Sequence, residues 1–358
     1  MEQKNLLMAI VLSVAIMLGW QFYIEQTTPP PSDKTAEQTE SPVAPGTNPG
    51  GSTGSTLTPP APGTPDQAAK LPSQLIEQVN RRAALALPRV KIVSPRVTGS
   101  LSLVGGRFDD LTLEDYRESI EADSEKVTLL KPFGTNNAYY AYYGWVSTDT
   151  EVPPLDARWT ADREELGPDS PVTLSWTNKD GVVFQQIIEL DEHYMFTVQQ
   201  RVTNGSNKAA NVFPFGQVVR RGTPDVLDFY ILHEGLLGVF NGVLKEVDYD
   251  DLQDSDTKVI ANEKSTGGWI GITDKYWLAA LIPDQNTAAD SRFSDAVRSG
   301  VDHYQVDFRG AKMAVAAGAQ NTVTNRLFAG AKEAKRIVDY RDNLNISRFD
   351  LAIDWGWF

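Results

Sequence analysis

The chain has 358 residues, 41% of them hydrophobic, enough to fill one large core or two ordinary ones, so a wholly disordered protein is excluded. Its 33 lysines and arginines are outnumbered by 47 aspartates and glutamates, and the net charge of -14 repels phosphate backbones and anionic headgroups, which argues against nucleic acid as a partner. There is no cysteine, so disulfides, thiolate nucleophiles and cysteine-based zinc sites are excluded, and three histidines remain for base or metal chemistry.

Residues 1–4 precede an apolar stretch at 5–24 that carries no charge through Tyr23. As a helix it spans roughly 28 Å, close to the ~30 Å hydrocarbon thickness of a bilayer. Leu6, Ile10, Val14 and Leu18 supply its apolar surface, and Trp20 and Tyr23 stand where amphipathic rings settle at headgroup level. Lys4 and the free amino group favour a cytoplasmic N-terminus, and no small-x-small cleavage site follows, so an uncleaved membrane anchor is expected. Residues 25–87 are then expected to be a linker, because Pro, Ser, Thr and Gly dominate its first two thirds and cannot bury enough apolar surface to offset ordering entropy. Within it, Gly50-Gly51-Ser52-Thr53-Gly54 matches the serine-hydrolase elbow but lacks the strand and helix that would strain the serine outward.

From 88 to 330 the signal becomes short apolar runs broken by turn residues. Runs at 172–176, 182–190 and 194–202 are separated by Asn178-Lys179-Asp180-Gly181 and Asp191-Glu192-His193, which predicts an antiparallel meander. In the third run Tyr194, Phe196, Val198 and Val202 face one way, and Thr197, Gln199 and Arg201 the other. Asn241-Gly242 signals another hairpin, and Tyr304, Val306 and Phe308 alternate with His303, Gln305 and Asp307, predicting one dry and one wet face. Many strands without long intervening helices make the fold class all-β, a β-sandwich.

Residues 331–345 turn helical and are expected to pack on the domain. Residues 346–358 are read as an amphipathic interfacial helix in which Ser347, Asp350 and Asp354 form a narrow polar stripe and Phe349, Ile353, Trp355, Trp357 and Phe358 an apolar face for the lipid bilayer. A final core helix is the competing reading.

Chemistry is scarce. His233-Glu234 opens like the zinc-protease motif, but the second ligand position is Leu237. His193 and His303 are placed in a turn and on a wet face, without fixed partners. Asp109-Asp110 and Asp250-Asp251 could serve glycoside hydrolysis, but surface carboxylates are common in so acidic a chain. Asn204-Gly205-Ser206 has the form of a glycosylation sequon and also fits a hairpin tip. No catalytic, metal or cofactor-binding residue is assigned, and no enzyme activity is expected. The rival readings are a tethered mutarotase-like carbohydrate enzyme, marked by His233 or His303 lining a pocket with a carboxylate, and a sugar-binding sandwich using Trp145 or Trp269 as a platform, although core packing is the commoner job for both.

Several segments in order resemble the YidC/Oxa family of bacterial membrane protein insertases. They are Lys4-Asn5-Leu6-Leu7-Met8-Ala9 with Gly19-Trp20-Gln21, Gly99-Ser100-Leu101-Ser102-Leu103 to Asp109-Asp110-Leu111, Tyr116-Arg117-Glu118, Val127-Thr128-Leu129-Leu130, residues 268–277 from Gly268-Trp269 to Tyr276-Trp277, and residues 349–358 from Phe349-Asp350 to Trp357-Phe358. The resemblance implies an inner-membrane insertase and chaperone that receives nascent membrane proteins, alone or with the Sec translocon and SecDF components. It implies a periplasmic supersandwich similar to galactose mutarotases, with C-terminal helices and one N-terminal transmembrane helix. The five further transmembrane helices of the family are expected to be missing, since no apolar run long enough to span follows Tyr23.

Overall fold

Strands joined by tight turns pair first with their sequence neighbours, and that local pairing accounts for much of the architecture. The computed structural model describes residues 73–121, 123–224 and 232–354, in which twenty strands form two sheets. The eleven-stranded sheet runs in the order β14 (Val259–Thr266), β17 (Ala288–Arg298), β18 (Val301–Arg309), β11 (Ala210–Arg221), β5 (Tyr139–Ser147), β3 (Arg107–Arg117), β2 (Val97–Ser102), β1 (Arg89–Val93) and β7 (Glu165–Leu166). To it β19 (Met313–Val315) adds on β11 and β4 (Lys126–Leu130) on β3. The nine-stranded sheet runs β13 (Val243–Val247), β12 (Gly235–Phe240), β15 (Trp269–Thr273), β16 (Trp277–Ile282), β20 (Gln320–Ala331), β10 (Met195–Asn204), β9 (Val182–Leu190), β8 (Val172–Thr177) and β6 (Thr160–Ala161). Three short helices accompany them: α1 (Ser73–Leu85), α2 (Tyr249–Asp254) and α3 (Ala334–Asn343).

The expected meander is present. Asn178 closes the β8–β9 turn by accepting the backbone N–H of Asp180 at 3.0 Å and of Val182 at 2.9 Å. Asp191 does the same for His193 and Met195, at 2.8 and 3.0 Å, between β9 and β10. Asn241 and Gly242 both take positive φ, 51° and 83°, the two-residue turn whose twist suits the β12–β13 hairpin.

Between the sheets Trp145, Trp269, Phe184, Phe196, Phe308 and Phe328 are fully buried. Fully enclosed polar side chains tie one sheet to the other. Gln186 donates to the Tyr143 carbonyl at 2.8 Å and Gln200 to the Gly144 carbonyl at 2.7 Å, while Asn325 donates to Gln200 at 2.8 Å. The ladder between β5 and β3 ends at Tyr142, so amides from the facing sheet meet backbone beyond the end of that pairing.

Two expectations are corrected, for β18 and for the linker, and two open readings are closed. The polar side of β18 is not wet, since His303, Gln305 and Asp307 are all buried on a sheet face that also carries the buried cluster Tyr140, Tyr142, Phe215 and Val219. Trp145 and Trp269 are core residues and cannot form an exposed sugar platform. The linker is not featureless to residue 87, because 73–85, free of Gly and Pro, forms α1. Asn204 is buried with its amide bonded to the Lys208 and Val315 carbonyls, which closes the sequon to modification.

Within 331–345 lies α3 (Ala334–Asn343), and the segment after it departs from an amphipathic helix. A four-residue 3-10 turn, Phe349–Ala352, follows Arg348 in the left-handed conformation, and Ile353 is extended. Phe349 is wholly buried with its ring 5.5 Å from both Trp269 and Phe328, and it is not on a free apolar face. Ser347 N–H donates to Gln285 at 3.1 Å and Trp269 Nε1 to the Arg348 carbonyl at 3.3 Å. The aromatic slot gains more from Phe349 than a continuous helix would, and the left-handed turn aims the ring into it. Ile353 is half-buried, and Trp355, Trp357, Phe358 and the anchor residues Leu6, Ile10, Val14, Leu18, Trp20 and Tyr23 lie outside the described residues. No helix among the described residues is long and apolar enough to cross a membrane.

Phe349→Ala is expected to destabilise the domain by about 3–5 kcal/mol, the usual cost of emptying an aromatic site in a core, in urea unfolding followed by tryptophan fluorescence. A loss under about 1 kcal/mol would mean that the segment merely rests on the surface.

Candidate binding clefts at the β15–β16 turn

Residues 268–277 form β15, a tight turn and the first residue of β16, and three clefts lie along them. Gly268 starts this segment with φ 90°, and a Cβ there would run into the Val239 carbonyl, so only glycine lets β15 lie against β12. Thr273 Oγ1 donates to the Trp277 carbonyl at 3.2 Å, and the Lys275 N–H donates to Glu234 at 2.9 Å. These bonds hold Lys275 and Tyr276 against the first cleft and Asp274 against the third.

The first cleft, about 510 Å³, is lined by Tyr116, Tyr276, Trp277, Lys332, Glu333 and Ile353. Tyr116 meets Trp277 edge-on at 4.9 Å and Tyr276 meets it at 5.9 Å, while Lys275 Nζ sits 5.1 Å above the Tyr276 ring. Tyr276 is 57% exposed, an aromatic surface open to a partner. The carboxylate of Glu333 closes the inner wall. It accepts two bonds from Arg96 at 2.6 and 2.8 Å, one from Tyr116 at 3.0 Å and one from Tyr194 at 2.9 Å. Burial, and then the bond to Glu333, raises the Tyr194 hydroxyl above the usual tyrosine range, so it stays a donor.

The second cleft, about 240 Å³, shares Leu232, Lys332, Ile353 and Asp354 with the first. Lys332 lies between them, donating to Thr273 Oγ1 at 2.8 Å, and burial pulls its pKa down against the pull of Asp274, Glu234, Asp354 and Glu246. The third cleft, about 480 Å³, adjoins the same turn through Asp274 and Trp277 and is bordered by Arg220, Arg221 and Lys131. Arg220 pairs with Asp274 at 2.5 Å and lies 5.0 Å over the Tyr139 ring.

The histidines can now be placed. His233 lines the second cleft beside Glu246 and Asp354, the arrangement named as the mark of an enzyme. Yet its Nε2 is bonded to the Leu236 carbonyl at 3.0 Å and its Nδ1 lies 3.1 Å from Asp248, so both ring nitrogens are engaged and none is left to serve as a base. His303, expected in solvent, is buried with Nδ1 bonded to the Val301 carbonyl at 3.0 Å; burial, with Arg221 and Arg298 nearby, holds its pKa below the usual value. The Nδ1 of His193 is enclosed without a partner in the β9–β10 turn. Asp109 is buried against Arg89, and Asp110 accepts from Ser100 at 2.6 Å, while Asp250 and Asp251 share an exposed helical turn, so neither acidic pair faces across a cleft. Among the described residues no cluster of three or more potential metal ligands occurs. The clefts themselves were not foreseen in the sequence, although the repeated aromatics at Tyr276-Trp277 were a usable signal.

Fold and clefts together define an all-β sandwich module that offers recognition surface at one end. The chain belongs to the YidC periplasmic domain family, which matches residues 89–358. Proteins named membrane protein insertase YidC are similar over the whole chain: one from Methylobacterium radiotolerans at 41% identity and one from Methylorubrum extorquens at 38%. The chain spans 60% and 59% of the length of these two relatives. Among solved structures, a galactose mutarotase related enzyme from Lactobacillus acidophilus is similar with a TM-score of 0.45 and 8% identity, covering 67% of this chain and 97% of that one. A putative aldose 1-epimerase from Escherichia coli gives 0.42 and 10%, covering 67% and 98%.

Two substitutions test this geometry. Glu333→Ala leaves Arg96, Tyr116 and Tyr194 without their shared acceptor and is expected to cost about 1–3 kcal/mol in urea unfolding, with Glu333→Gln costing less; a change below about 0.5 kcal/mol would contradict the role given to the carboxylate. Lys332→Met is expected to raise the melting temperature at pH 7, because the folded state disfavours the ammonium. The gain should shrink as pH rises from the lowered folded pKa towards the ordinary 10.5, where the unfolded lysine also loses its proton. A lower melting temperature for the variant would show that the surrounding carboxylates outweigh burial.

Proposed function

We propose that this chain is the anchored, periplasmic part of a membrane protein insertase of the bacterial inner membrane. In this reading residues 5–24 cross the membrane once, with Leu6, Ile10, Val14 and Leu18 against lipid and Trp20 and Tyr23 at headgroup level, and the following segment tethers the sandwich. The sandwich, read as a mutarotase-like supersandwich on the size of its two sheets, acts as a scaffold. It holds nascent membrane proteins, alone or with the Sec translocon and SecDF components, beside the bilayer they enter. Ile353, Trp355, Trp357 and Phe358 bring its C-terminal end to the headgroups. The observation that carries the reading is the family match over residues 89–358. A mutarotase-like enzyme or sugar-binding sandwich is the weaker reading, since His233 has no free nitrogen and Trp145 and Trp269 are buried.

A photo-crosslinker in place of Tyr276, in cells making inner-membrane proteins, is expected to capture nascent membrane proteins or Sec components, while one at the exposed Val297 captures markedly less. Equal yields at the two positions would contradict a scaffolding role for the clefts. The anchor is tested separately: the chain should stay with membranes in alkaline carbonate, and Ile10→Arg with Val14→Arg should release it, each charge costing about 2.5–3.5 kcal/mol at mid-bilayer. Release of the unaltered chain would contradict the anchor.

A further inference from the structure

In a chain of net charge -14, the third cleft is bordered by several cations. Three of them line it, Arg220, Arg221 and Lys131, against two carboxylates, Glu118 and Asp274. Arg220 and Asp274 neutralise each other, and Glu118 is exposed at the rim. What remains is Arg221 and Lys131 against Glu118 alone, an excess of one positive charge among the described residues.

Arg221 is held in place by neutral acceptors. Its Nη1 donates to the Thr135 carbonyl at 3.3 Å and to Asn136 Oδ1 at 3.0 Å, which fixes the guanidinium without cancelling its charge. Its Nε is enclosed by protein and has no partner. Among the described residues neither Arg221 nor Lys131 forms an ion pair, although both lie in a chain rich in carboxylates. The positions that Arg221 and Lys131 leave for the cleft are donors only, which suits an acceptor. The rim already shows that affinity: the Asn136 N–H takes a carboxylate oxygen of Glu77, from α1, at 2.6 Å.

We propose that this cleft is a binding site for a phosphate group, independent of the function proposed above. Arg221 keeps Nη2 for one oxygen of a tetrahedral anion, Lys131 supplies a point charge, and Asn137 and Thr128 border the same space. A volume of about 480 Å³ admits a phosphate with an organic substituent. The overall negative charge slows the approach of anions from a distance, but within the cleft the balance is reversed, and salt screens the long-range term within about 8–10 Å. The chemistry fits free phosphate and a phospholipid headgroup equally.

The test is calorimetric titration of the full chain in dodecyl maltoside micelles, with inorganic phosphate and, separately, with short-chain phosphatidylglycerol, at fixed ionic strength. Saturable binding of at least one of the two is expected, with a Kd of about 1 mM or tighter. It should weaken about tenfold or more in Arg221→Gln and in Lys131→Gln, the second being a rim substitution that leaves the Thr135 and Asn136 contacts in place. Melting curves of both variants identify any misfolded sample, and the Lys131 variant decides if Arg221→Gln fails to fold. Phosphatidylglycerol binding that inorganic phosphate displaces assigns the site to a lipid headgroup, and binding of inorganic phosphate alone assigns it to the free ion. Absence of saturable binding by either probe, or binding unchanged in a folded Lys131→Gln protein, overturns the proposal.

Discussion

The carboxylate of Glu333 is the contact on which the end of this domain depends. The chain leaves β20 of the nine-stranded sheet there, and the Glu333 carbonyl accepts the Ile337 N–H at 2.9 Å to start α3. The same residue's carboxylate takes bonds from Arg96 and Tyr116 of the eleven-stranded sheet's segment and from Tyr194 beside β10. One anion therefore serves four donor bonds from both layers while lining the first cleft. With side chains about a quarter exposed, the Arg96–Glu333 pair escapes the full desolvation cost of a buried ion pair yet is shielded enough to be directional. From this point the chain is carried by Tyr340, whose hydroxyl donates to Asp191 at 2.6 Å, and then by Phe349 in its aromatic slot. The terminal segment is thus part of the sandwich and moves with it.

That continuity gives the clefts their meaning. The first and second open beside residues 353 and 354, and the first and third share the short turn braced by Glu234, Thr273 and Arg220. The scaffolding role proposed above calls for recognition surface held firmly on the sandwich. Aromatic area at Tyr276 and Trp277 can take apolar side chains, and the neighbouring charges of Lys332 and Arg220 have carboxylates nearby.

Local features were legible in the sequence because their causes are local. Asn178, Asp191 and the Asn241-Gly242 pair make turns through their own side chains or φ angles, so the meander around β8 to β10 and the β12–β13 hairpin could be read directly. What failed depended on distant partners. Alternation at β18 looks like a wet and a dry face, but the wet side is buried because Tyr140, Tyr142 and Val219 of neighbouring strands share it. Phe349 looked like part of a membrane-facing stripe, since helical periodicity cannot register a left-handed Arg348 or the gap between Trp269 and Phe328. Residues 73–85 were absorbed into their Pro-rich surroundings, although their own composition favours a helix. The clefts were least legible of all, because a cavity is a property of several chain segments at once.

The central claim, that the C-terminal segment is built into the sandwich, is tested most directly by amide hydrogen exchange across residues 344–353. Their amides are bonded within the segment, Leu344 to Tyr340 at 3.0 Å, Ile346 to Arg341 at 3.1 Å and Leu351 to Arg348 at 3.1 Å. If these amides open only with the domain, their protection should match that of β10 and β20 and fall together with theirs as urea is added. Exchange at rates typical of exposed loops, with β10 and β20 still protected, would show the segment detaching on its own and would contradict the account.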